Sequence, residues 1–200
     1  MPRTIGILAL QGDFAKHQAM FQALRVETVL IKDPKDLQRC DGLIIPGGES
    51  TTLTKLMEKY GFYEPLREFS QKYPMMGTCA GMIMMAVHVD DERVKPLQLI
   101  DIDVRRNAYG RQVESFSAEV NTPFLGETTL FRAIFIRAPK IFRVGVNVEI
   151  LLEWQAQPVM VRNHNVLALA FHPELTEDPR IHQYFLQMNI TMIKRDVCCT

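Results

Sequence analysis

Thr4–Leu10 (TIGILAL) is a nearly continuous apolar run, the pattern of a strand buried on both faces. The period then changes: Phe14, Ala15, Met20, Phe21 and Leu24 recur at spacings that fit one face of a helix over Asp13–Leu24. Val26–Ile31 and Gly42–Pro46 (GLIIP) predict two further strands. A helix is expected from Ser50, with Leu53, Leu56 and Met57 turned inward, and another over Tyr63–Lys72. Pro74–Thr78 leads as a strand into Cys79. Alternation of strand and helix along this first part points to parallel βαβ units.

From about Leu97 the pattern shifts to short strand-like runs between turn residues: Gln112–Val120, Phe131–Ile136, Val146–Leu152, Pro158–Val161 and Val166–Phe171. Arg180–Arg195 is expected to close the chain as a helix. There is no internal repeat, low-complexity stretch or linker. The expectation is one α/β domain over residues 1–200, with a mostly parallel central sheet flanked by helices and an additional β-rich section.

Composition narrows the function classes. The 200 residues carry 23 Lys+Arg against 23 Asp+Glu, a formal net charge of zero. That balance argues against a broad basic surface for nucleic acid or anionic lipid, so specificity must reside in a shaped site. No apolar stretch approaches the roughly 20 residues that span a bilayer. The run Ile5–Leu10 is too short for a signal peptide and is interrupted at once by Gln11-Gly12-Asp13. Cys40, Cys79, Cys198 and Cys199 lack zinc-ligand spacing and are too few for a disulfide scaffold. The sequon at Asn189-Ile190-Thr191 is then accidental, and a reduced, cytoplasmic protein without metal is expected.

Three segments carry candidate chemistry. Gly77-Thr78-Cys79-Ala80-Gly81 has the layout of a nucleophile elbow with Cys in place of Ser. A helix starting there would favour the thiolate and offer N–H groups, notably that of Ala80, to an oxyanion. By itself the pentapeptide fits a buried cysteine at an ordinary tight turn equally well. Phe171-His172-Pro173-Glu174 places a His at the mouth of a strand with a carboxylate two residues on, as a base and its orienter require; alone it also reads as a capped or ion-paired His. His17, His88, His164 and His182 lack such a setting and read as surface or structural residues. Pro46-Gly47-Gly48-Glu49-Ser50 lets backbone approach a ligand, with Ser50 as the expected helix cap. It lacks the Gly-Lys-Ser/Thr ending of a phosphate loop.

Taken together, PGGES at 46–50, GTCAG at 77–81 and HPE at 172–174 resemble the triad-type (class I) glutamine amidotransferases, whose domain is flavodoxin-like. The segments Gly6–Phe14 with His17, Arg105–Asn107, Tyr109–Gln112, Ser115-Phe116, Phe135–Pro139 and Phe171–Asp178 look like the glutaminase subunits of pyridoxal 5′-phosphate synthases. The resemblance implies that Cys79 is a nucleophile forming a glutamyl thioester, His172 its base and then acid, and Glu174 the residue orienting His172. It implies oxyanion donors at Gly48 and Ala80 and L-glutamine contacts at Gly48, Glu49, Ser50, Arg106, Ile136 and Arg137, with Gln11 nearby. It also implies no cofactor on this chain and a (β/α)8 pyridoxal 5′-phosphate synthase subunit that consumes the ammonia and completes the oxyanion hole, since 200 residues leave no room for a synthase. The rival expectations are a glutaminase serving another synthase and a non-catalytic domain of the same fold.

Overall fold

The computed structural model describes residues 4–106, 115–125 and 130–188. In chain order the first six strands are β1 (Thr4–Leu8), β2 (Glu27–Ile31), β3 (Gly42–Ile45), β4 (Met75–Thr78), β5 (Ala86–Val89) and β6 (Ile100–Arg105). They are followed by β7 (Ser115–Asn121), β8 (Leu130–Ile136), β9 (Lys140–Val144), β10 (Glu149–Trp154), β11 (Gln157–Arg162) and β12 (Val166–Leu169). The helices are α1 (Phe14–Ala23), α2 (Ser50–Lys59), α3 (Tyr63–Lys72), α4 (Ala80–Met85) and α5 over residues 180–188.

The central sheet runs β10-β11-β12-β4-β3-β1-β2. From β12 to β2 every pairing is parallel, and β11 and β10 extend the β12 side antiparallel. β3, β4 and β12 are buried at every position, which is why they read as unbroken apolar runs. A fully buried side chain such as Ile44 or Leu167 is worth about 1.5–3 kcal/mol. The chain leaves β1 in one direction toward β2, whereas β3 and β4 lie on its other side. Loops leaving the carboxyl ends of such strands diverge and open a crevice.

The first part of the chain folds as its pattern predicts, with β1 ending two residues early. One face of α1 differs: Ala15 is exposed, and the buried positions are His17, Met20 and Phe21. Helical geometry explains this, because i, i+3 and i+4 share a face whereas Ala15 lies off it. Three strands go beyond those expected: β5 ahead of Leu97, and β6 and β9 in the second part. β5, β6 and β9 form a separate sheet, and β7 pairs with β8 in a two-stranded ribbon. β6 buries Ile100, Ile102 and Val104 while Asp101 faces out, a period of two legible in IDIDVR. β10 starts three residues later than expected because Gly145–Val148 is a turn, closed by the Val148 N–H to the Gly145 carbonyl at 3.1 Å, with Val146 almost wholly exposed. The expected β7 residues 112–114 and helix residues 189–195 lie outside the described residues, as do 107–112, Cys198, Cys199 and the sequon. Among the described residues no helix is long and apolar enough to cross a membrane.

Candidate active site

Four neighbouring parallel strands deliver the key loops to one end of the sheet. Gln11-Gly12-Asp13 follows β1, Pro46–Glu49 follows β3, Cys79 follows β4 and His172 follows β12. Cys79 sits at φ +49°, ψ −102°, a backbone region costly for any residue but Gly. Packing enforces it. The Cys79 N–H is tied to the Leu169 carbonyl at 2.8 Å, while α4 begins at Ala80 and presses onto β3. A Cβ at Gly81 would lie 2.0 Å from the Ile45 carbonyl oxygen, so only glycine admits this approach.

A cavity of about 380 Å³ opens over this elbow. Cys79 and His172 line it, and so do Gly48, Glu49, Ser50, Arg106, Ile136 and Arg137, all the positions the resemblance assigned to glutamine. Asp13 and Ile83 line it too, although the sequence reading had singled out neither. Gln11 is not a wall of the cavity. It props the glycine loop from behind, its Oε1 accepting the Glu49 N–H at 3.1 Å. Gly48, at φ +151°, packs so close that a Cβ there would meet the Gln11 amide at 2.5 Å.

His172 Nδ1 lies 2.7 Å from Glu174 Oε1, and both side chains are buried. Nε2 is thereby left to the Cys79 side. Burial opposes a charged imidazole, but hydrogen bonds and charge attraction from Cys79 and Glu174 outweigh it and push His172 up to about 10. For Glu174, burial alone would raise the carboxyl; His17 and His172 reverse that and hold it below the usual range. The His172 N–H donates to the Ile134 carbonyl at 2.8 Å, which ties the end of β12 to β8 and brings Ile136 toward the cavity. Cys79 Sγ is 3.7 Å from the Ile136 carbonyl oxygen.

On the opposite wall Arg106 donates to Glu49 Oε1 at 2.7 Å and to Asp91. Glu49, and not Ser50, caps α2: its carboxylate accepts from the Thr52 N–H at 2.6 Å, the Thr51 N–H at 3.2 Å and the Thr51 hydroxyl at 2.5 Å. Its longer side chain folds back onto two amides that a Ser at the first helical position cannot reach, and Ser50 Oγ is buried without a partner. Desolvation is the largest single influence and raises the Glu49 carboxyl, but the hydrogen bonds from Thr51 and Thr52 together outweigh it and hold Glu49 down to about 2. Arg93 and Arg106 hold Asp91 well below the usual carboxylate range.

The expectation for the remaining histidines divides. His88 and His164 are exposed, whereas His17 and His182 are completely buried behind Glu174. His17 was legible as the i−3 and i−4 neighbour of Met20 and Phe21; nothing local marks His182 or Asp91. Among the described residues no group of three or more His, Cys, Asp or Glu is placed to hold a metal ion.

Comparison with known proteins agrees with this geometry. Residues 7–191 match the model of the SNO glutamine amidotransferase family. The chain is 47% identical over 185 residues to the pyridoxal 5′-phosphate synthase subunit PdxT of Thermosipho africanus, covering 92% of this chain and 97% of that one. With the PdxT subunit of Pseudothermotoga lettingae the identity is 50% over 187 residues, covering 92% and 95%. A crystal structure of a glutamine amidotransferase superposes with a TM-score of 0.87 at 42% identity, covering 92% of this chain and 98% of the other.

Proposed function

The chain belongs to the SNO glutamine amidotransferase family, and from that premise we propose that it hydrolyses L-glutamine through Cys79, His172 and Glu174, feeding ammonia to a pyridoxal 5′-phosphate synthase subunit. The observation that carries the reading is that Cys79, His172 and the six positions the resemblance assigns to glutamine face one cavity.

Cys79 gives its proton to His172, and the sulfur attacks the side-chain amide carbon of glutamine. The resulting oxyanion is met by the N–H groups of Gly48 and Ala80, the latter in the first turn of α4, where amides have no helical acceptor. The C–N bond breaks as His172 protonates the departing nitrogen, leaving a glutamyl thioester and ammonia. Water, deprotonated by His172, then cleaves the thioester and restores the thiol. Glu174 holds the His172 tautomer and offsets its positive charge throughout. Arg106 and Arg137 supply positive charge for the substrate α-carboxylate, and the ionised Glu49 sits where the α-ammonium needs a counter-charge.

Ammonia released into water at neutral pH is mostly protonated and no longer nucleophilic, so the chemistry calls for an acceptor enzyme alongside. The relatives named as pyridoxal 5′-phosphate synthase subunits support a (β/α)8 synthase in that role. The test is ammonia release from glutamine by wild type and Cys79→Ala, each with and without the synthase subunit. Turnover by wild type that rises with the partner and vanishes in Cys79→Ala is expected. Activity surviving in Cys79→Ala ends the thioester mechanism, and no response to the synthase ends the partner assignment.

A further inference from the structure

Behind the His172–Glu174 pair lies a second polar layer that the mechanism above leaves unused. Glu174 binds His172 through Oε1; its other oxygen, Oε2, is buried with no hydrogen bond. His17 faces that oxygen. Its Nε2 stands 3.5 Å from Glu174 Oε2 and 3.3 Å from Thr78 Oγ1, while its Nδ1 meets His182 Nε2 at 3.0 Å. The two rings come from α1 and α5, at opposite ends of the chain, and neither is accessible to water.

Burial is the main cause that pushes both histidines down, His182 to about 3, so each is neutral near pH 7 and has a single ring hydrogen. A bare nitrogen facing a carboxylate oxygen would be repelled, which puts the hydrogen of His17 on Nε2. Nδ1 of His17 is then an acceptor, so His182 must carry its own hydrogen on Nε2. That choice strips Nδ1 of His182, the one nitrogen of the pair without a partner. One assignment therefore accounts for all four ring nitrogens.

We propose that His17, held between His182 and Thr78, is a positioning residue for glutamine hydrolysis: its Nε2–H edge lies 3.5 Å from Glu174 Oε2, and its polarity favours the carboxylate orientation that holds His172. The inference rests on the triad reading above. A carboxylate gripped at one oxygen can turn about its broad terminal torsion, and any such turn swings His172 away from the thiol. His17 acts through Glu174 and is not among the residues lining the cavity. The titratable groups around it are Glu174, His172, Asp13 and His182.

Long-range ¹H–¹⁵N NMR of the wild-type chain with labelled histidine should find His17 as the neutral Nε2–H tautomer at pH 7; an Nδ1–H or doubly protonated ring overturns the proposal. In the complex with the synthase, His17→Gln keeps an N–H donor and His17→Met does not. We expect His17→Met to lower kcat about tenfold with KM unchanged, about the effect of removing one polar contact from a buried carboxylate. The pH profile of Cys79 alkylation by iodoacetamide should shift with it, and His17→Gln should restore both. Two folded variants that behave alike overturn the proposal, and if His17→Met does not fold the tautomer decides. Cys79→Ala separates the two ideas: if it stays active the triad fails, whereas an inactive Cys79→Ala beside an unimpaired His17→Met removes only the role of His17.

Discussion

The two flanks of Cys79 use the same chemistry, carboxylates against cationic or potentially cationic side chains, in opposite solvents. On one side His172, Glu174, His17 and His182 are each at most 5% exposed. On the other, Arg106 is shared between Glu49 and Asp91, and Asp91 also grips Arg93, whose side chain is 77% exposed. In the dry layer each group has few partners and no water to replace them, so a lost partner leaves a buried charge or polar group uncompensated. In the wet layer, charges share partners and solvent screens what remains, so a loss is spread over several contacts. Under the proposed function, the dry flank suits holding one proton arrangement and the wet flank suits a charged substrate held without immobilising it.

That contrast breaks most sharply at Glu174. Glu174→Gln keeps the shape but removes the charge that orients and balances His172, and kcat is expected to fall about 10³-fold with KM nearly unchanged, measured as ammonia release in the synthase complex. Arg106→Gln, across the cavity, should do the reverse, raising the KM for glutamine by about 10- to 50-fold and changing kcat only a few-fold. A large kcat loss there would mean that the wet flank also positions the chemistry.

Acid sharpens the difference in stability. Glu174, held below its ordinary value, contributes stability that is present above about pH 4.5 and lost as pH falls further. His182, kept neutral down to about 3 against an ordinary 6.5, costs stability as the pH drops from 6.5 toward 3, by up to about 1.4 kcal/mol per pH unit. His172 works in the other direction: raised to about 10, its contribution is complete below 6.5 and fades as the pH rises through 10. Urea unfolding from pH 7 to 4 should therefore show a steep acid limb, flattened by about one proton in His182→Phe. An unchanged slope in that variant would disprove the dry layer's part in acid sensitivity. The smallest effect belongs to the wet flank's rim: Arg93→Ala is expected to leave the urea midpoint essentially unchanged and to change KM at most about two-fold.

Local patterns account for much of this fold. β3, β4 and β12 were legible because a strand covered on both faces must be apolar throughout. β6 carried an equally clear alternation and went unread beside it. β5 and β9 are short and mix polar with apolar residues, so their pairing in a separate sheet had no local signature. The cap of α2 was misplaced by one residue because Glu49 is an unusual cap, made effective by the two amides its carboxylate reaches.

The chain's own chemistry marked the proposed nucleophile, base and orienter as candidates. Gly77-Thr78-Cys79-Ala80-Gly81 and His172-Pro173-Glu174 impose their geometry within a few residues, through glycines at close approaches and a proline that stiffens the backbone. Only the tertiary structure decided what stands behind and across from them. His17 and His182 lie 165 residues apart, and Glu49 and Arg106 are 57 apart. What joins them is the packing of α5 and of the separate β5-β6-β9 sheet against a central sheet whose order brings the ends of β1, β3, β4 and β12 together, and burial, which makes a histidine a neutral donor. Neither sheet order nor dielectric is a property of any short stretch of sequence.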